Sequence, residues 1–125
     1  MTQTRYVCNG TSAQSPVNVA GTWVGSVYST NTGTRTATLT LSQHGINAAG
    51  DYSTTAGITG VVSATASNNY VNAIIVPMQG GCSGALIATC VVTIPQAGQP
   101  TMTFNYRGST DCGGTESGSG TLTRQ

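Results

Sequence analysis

Arg35-Thr36-Ala37-Thr38-Leu39-Thr40-Leu41-Ser42-Gln43 sets Ala37, Leu39 and Leu41 on one face and Thr36, Thr38 and Thr40 on the other. Successive side chains of an extended chain point to opposite sides, so this is a strand with one face buried and one in water. The rhythm continues in both directions. Before it, residues 21–29 form a first strand that reaches it through a hairpin turn at Asn31-Thr32-Gly33. After it, His44-Gly45 through Gly50 reads as a turn, and a short strand follows at 51–55.

Further strands are expected at 58–66, 70–78, 86–94, 101–107 and 120–124, separated by Asn68-Asn69, Gln79-Gly80-Gly81, the stretch 95–100 and a Gly-rich loop at 109–119. Pro95 and Pro100 mark a connection, because proline cannot donate within a ladder. No window of helical length carries a 3.6-residue apolar period, so helix is disfavoured throughout. Eight short strands joined in order suit a single antiparallel up-and-down β-barrel, an all-β fold. A two-sheet β-sandwich is the alternative, but it needs longer crossovers than the chain offers. Eight is also the strand count at which an interior is just filled by side chains or holds one small ligand. The expected organisation is an irregular N-terminal arm over 1–20 and a barrel over 21–125.

Charged residues make up 6% of the 125 residues, against about 25% in an average soluble domain. There is no lysine; the cations are Arg5, Arg35, Arg107 and Arg124, and the anions are Asp51, Asp111 and Glu116. A net charge of +1 gives no electrostatic footprint for nucleic acid. No run approaches the roughly 20 apolar residues of a spanning helix. Met1-Thr2-Gln3-Thr4-Arg5 lacks an apolar signal region, so the chain reads as a mature product of a secreted, periplasmic or cell-envelope protein. Cys8, Cys82, Cys90 and Cys112 are too scattered for a zinc knuckle and read as two disulfides, with four buried free thiols as the alternative. Connectivity stays open between Cys82–Cys112 with Cys8–Cys90, and Cys82–Cys90 with Cys8–Cys112.

Gly21-Thr22-Trp23, the alternating Thr38-Leu39-Thr40-Leu41, Gly50-Asp51-Tyr52 and Gly57-Ile58-Thr59-Gly60 resemble the first half of an avidin- or lipocalin-type calycin barrel. Small secreted bacterial lipoprotein domains share the Gly-Thr-Trp start and a close like Gly118 to Arg124. The resemblance covers the first four strands by motif and the rest by rhythm. It implies polar ligand contacts at Ser29, Tyr52 and Thr54. It also implies an Asn after Thr22-Trp23-Val24, where this chain has Gly25, and further tryptophans, where Trp23 stands alone. Without those aromatic walls the buried area that holds biotin is missing, so biotin is not the expected ligand.

The remaining constellations are weak. Trp23 reads as a plug of the barrel base, and Met102, Phe104 and Tyr106 as core or one pocket wall. Ala, Thr, Val and Gly at facing positions suggest a narrow interior. His44, Asp51 and a serine form a triad only by availability, and Asp111 and Glu116 fall in one flexible loop. Two carboxylates fall short of a calcium site. No metal, cofactor or catalytic activity is therefore expected. The expected function is non-catalytic binding of a small apolar or amphipathic ligand, with Ser29, Tyr52, Thr54, Phe104 and Tyr106 as candidate contacts. A self-associating structural module is the alternative, and an inhibitor presenting the 109–119 loop is a weaker one.

Overall fold

The alternation read from the sequence becomes eight strands in the computed structural model, which describes residues 16–31, 33–55, 57–78, 84–111 and 114–125. They are β1 (Gly21–Ser29), β2 (Gly33–His44), β3 (Asn47–Thr54), β4 (Thr59–Ser67), β5 (Tyr70–Pro77), β6 (Gly84–Thr93), β7 (Thr101–Thr110) and β8 (Gly114–Arg124). Each pairs antiparallel with the next, and β8 returns to β1 to close the barrel. Trp23 lies opposite Arg124 at one end of that seam and Ser29 opposite Gly118 towards the other. Closure gives every strand a neighbour on both sides, which matters for a chain with little charge to discourage edge-to-edge association. The fold is the barrel, not the sandwich.

One end is sealed. Val17 and Val19 are buried although they lie in no strand, because residues 16–20 cross beneath the barrel. Their backbone is held from several sides. Val17 N–H donates to Asn68 O at 2.7 Å, and Val19 N–H donates to Gln43 Oε1 at 2.7 Å. Gln43 Nε2 donates back to Val17 O at 3.0 Å. Trp23 Nε1 donates to Val19 O at 2.9 Å, so the fully buried indole meets its one polar requirement locally. Trp23, Met102, Val19 and Val71 are the largest fully buried side chains. Trp23 is thus a plug.

Two boundaries differ most from the sequence reading. β3 begins at Asn47, leaving only Gly45 and Ile46 as the turn. The segment expected as a long Gly-rich loop is mostly strand, since β7 runs to Thr110 and β8 starts at Gly114. Gly118 there, like Gly108 and Gly120 beside it, fills a ladder position where a side chain would collide with the opposite strand or ring, a role that composition alone mimics as loop. Residues 16–20, the last five of the expected irregular arm, belong to no strand and lie against the barrel base. Residues 1–15 lie outside the described residues.

Cys90 corrects the disulfide reading. On β6 it alternates inward with Leu86, Ala88 and Val92, and it is a free, buried thiol. Its side chain points into the barrel and carries a free thiol, so the expected bridges to Cys90 are not formed. Cys8, Cys82 and Cys112 lie outside the described residues.

Candidate functional site

Period-2 alternation on eight strands sends one side chain in two inward, and at the end opposite Trp23 the interior is hollow. The cavity has a volume of about 300 Å³. Its apolar wall includes Val27, Leu39, Val62, Ile75, Leu86 and Met102, with Ala37, Ala73 and Ala88 at positions where larger groups would fill it. The narrow interior expected from sequence is therefore wider than Ala and Gly suggested.

Glycine opposite each aromatic ring explains much of that width. Tyr52 pairs with Gly60, Phe104 with Gly120 and Tyr106 with Gly118. A Cβ on Gly120 would come within 2.7 Å of Phe104 Cζ, and one on Gly118 within 2.6 Å of the Tyr106 hydroxyl. The rings therefore lie flat against the barrel wall over bare backbone, and the lumen stays open. Phe104 and Tyr106 continue as a tilted pair with centroids 6.3 Å apart.

A polar cluster rims this apolar chamber. Ser29 Oγ donates to Glu116 Oε2 at 2.6 Å, and the Tyr106 hydroxyl reaches the same oxygen at 3.1 Å. Asn31 N–H donates to Ser29 Oγ at 3.1 Å, fixing the hydroxyl that faces Glu116. Arg35 and Thr54 line the same end of the cavity. Burial raises the Tyr106 phenol to about 12; the Ser29 hydrogen bond and Arg35 work against the rise, while the Glu116 carboxylate adds to it. Burial, then the Glu116 charge, also raises Tyr52. Burial alone pushes the Cys90 thiol to about 11.

All five candidate contacts named from sequence, Ser29, Tyr52, Thr54, Phe104 and Tyr106, line this one cavity. Glu116 and Arg35 were missed. Glu116 was assigned to a flexible loop with Asp111, but it sits on β8 facing the lumen, whereas Asp111 is exposed outside β7. Counting inward positions back from buried Leu122 through Gly120 and Gly118 would have reached it. Two glycines carry no hydrophobic signal, so the alternation fades just before the informative residue. Arg35 has the parity of Ala37, Leu39 and Leu41 and was legible by the same count. His44 is exposed at the end of β2 and Asp51 is exposed on β3, both outside the cavity lining. Among the described residues no group of three or more His, Cys, Asp or Glu is placed to hold a metal ion. Comparison with protein-family models, with curated proteins and with solved structures returned no match.

Proposed function

We propose that the barrel is a non-catalytic binding module for a small amphipathic molecule, taken apolar end first into the lumen. The observation that carries this reading is the two-zone cavity, an aliphatic and aromatic chamber capped by Ser29, Tyr106 and Glu116. A water's share of liquid volume is about 30 Å³, so the chamber suits roughly ten to fifteen non-hydrogen atoms. Ser29 and Tyr106 both direct hydroxyls at Glu116 Oε2, which leaves acceptor capacity towards the lumen. A ligand head that donates hydrogen bonds, such as a hydroxyl, amide or amine, complements that rim.

The apolar lumen and the hydroxyl row Thr34, Thr36 and Thr40 outside reverse the polarity of a membrane-spanning barrel, whose outer band is apolar and whose interior is polar. No helix among the described residues is long and apolar enough to cross a membrane. A secreted or cell-envelope setting is proposed on Cys8, Cys82 and Cys112, because a disulfide between two of them would form and persist in an oxidising compartment.

Titration with an apolar fluorophore bearing an amino head, followed by native mass spectrometry of the complex, tests the reading. One-to-one binding that Leu86→Phe and Ala88→Leu abolish is expected. Wild-type protein that binds no such probe, and carries no ligand after gentle purification, overturns it.

A further inference from the structure

Outward positions on β4, β5 and β6 depart from the hydroxyl-rich surface elsewhere. Val61, Tyr70, Ile74, Val76, Ile87 and Val91 are between 36% and 58% exposed. They are not scattered. Val61 lies opposite Val76, Ile74 opposite Ile87 and Tyr70 opposite Val91, so three apolar cross-strand pairs run along one side of the barrel. Serine, threonine and asparagine fill the remaining outward places on these strands, with Ala85. No charged residue occurs anywhere between Asp51 and Arg107.

From these observations we propose that the outer face of β4, β5 and β6 is a self-association surface that takes a second copy of the same face. Six side chains of this size and exposure present roughly 500 Å² of apolar surface, near the upper end of the largest patch on a typical monomer. Two copies together bury roughly 1,000 Å², the range of weak, reversible complexes rather than obligate dimers. The barrel is convex, so the contact centres on β5 and the Ile74–Ile87 pair.

Charge lies beyond both edges of the face, on strands a quarter-turn from β5, and biases its orientation. The nearest charge on one flank is Asp51, paired in register with Val61, and on the other Arg107, paired with Ile87. A two-fold axis parallel to β5 brings the β3 flank of one copy to the β7 flank of the other, Asp51 towards Arg107. An axis across the strands would bring Asp51 towards Asp51 and Arg107 towards Arg107. Opposite flanks thus favour one of the two packings, although at this distance the attraction steers more than it binds.

Sedimentation equilibrium of the full chain from roughly 5 to 500 µM reads the association, and a reversible, concentration-dependent rise in mass within that range is expected of a small interface. Ile74→Lys and the milder Ile87→Thr should each weaken it at least tenfold with an unchanged melting temperature. Asp51→Arg should weaken it at low salt, and adding Arg107→Asp should restore it. A wild-type monomer throughout the range overturns the proposal. So does a dimer indifferent to both isoleucine substitutions, or one lost only when residues 1–15 are removed, which would assign the contact to that segment. Binding of the monomer to lipid vesicles through Ile74 and Ile87 would equally replace it.

Discussion

Arg124 lies over the Trp23 indole, its guanidinium carbon 5.3 Å from the ring centroid, while its Nη1 donates to Asn18 O at 2.9 Å. A single side chain from the last strand thus covers the plug of the first and ties down the segment crossing beneath both. Trp23 and Arg124 also pair directly in the β1–β8 seam. The closed end and the closure of the barrel are therefore one structure.

Removing that cover should loosen the base. Cation–π contacts contribute about 0.5–2 kcal/mol depending on desolvation, and hydrogen bonds from a charged donor about 1.5–3 kcal/mol. Arg124→Ala is expected to cost about 2–3 kcal/mol in chemical denaturation and to shift Trp23 emission to the red. Arg124→Lys should recover only part, since an ammonium cannot stack and reach the carbonyl with the same planar fork. An Arg124→Ala protein of wild-type stability would show that the base is held by other contacts.

Gly120 decides how much lumen there is. Gly120→Ala puts a methyl group within 2.7 Å of Phe104 Cζ and 2.9 Å of Ser26 O. The ring is the softer neighbour and swings inward, and the β1–β8 ladder takes up the remainder. The expected results are a destabilisation of about 1–3 kcal/mol, the usual range for overpacking, and at least tenfold weaker probe binding. Combining it with Phe104→Leu should recover binding, because the colliding ring is gone. Unchanged binding in Gly120→Ala would remove the ring-on-glycine account of the cavity.

These pairs also show how far the chain could be read in advance. The clean Leu and Thr alternation of β2 announced its own strand, and Trp23 announced a plug. Ser29, Tyr52, Thr54, Phe104 and Tyr106 were reached through strand parity and resemblance, and one cavity contains them all. Glu116 was hidden because hydrophobic periodicity needs side chains, and Gly118 and Gly120 have none. Cavity width was misjudged for a related reason. Small residues count as filler in a composition, yet here they are the positions against which large rings lie flat. Cys90 failed as a bridge because counting cysteines ignores which face of a strand each occupies.

Cys90 offers a reporter inside the lumen. Its thiol is buried and raised from 9.0 to about 11, so at neutral pH its thiolate fraction falls about a hundredfold below that of an unperturbed cysteine. Native protein should react with a small alkylating reagent at least a hundredfold more slowly than denatured protein. A bound ligand should slow it further. Cys82 precedes Gly84 by two residues and Cys112 follows Thr110 by two, and Gly84 and Thr110 are paired. Chain reach therefore permits a Cys82–Cys112 bridge. Denaturation without reductant should then expose two thiols, Cys90 among them, and reduction should expose four. Four thiols before reduction would exclude the bridge and the oxidising setting proposed with it.

Alkaline pH should undo the barrel through two buried acids. Tyr106 moves from 10.0 to about 12, and Cys90 from 9.0 to about 11, in both cases because burial disfavours the charged form. A raised acid holds its proton longer in the folded chain than in the unfolded one. Between the two values the folded state binds more protons, so stability falls as pH rises. Below about pH 8, a unit under the lowest of these values, both groups are protonated in both states and neither contributes a slope. The melting temperature should therefore be insensitive to these groups up to about pH 8, then decline, first with Cys90 and then with Tyr106, up to about pH 12. Tyr106→Phe should remove the later part of the decline and one late-titrating phenol from the absorbance at 295 nm. It should also free one acceptor position on Glu116 and weaken the rim, whereas Cys90→Ser should flatten only the earlier part. A decline that survives both substitutions would place the alkaline sensitivity elsewhere, with Tyr52, which burial and Glu116 also raise, the next group to substitute.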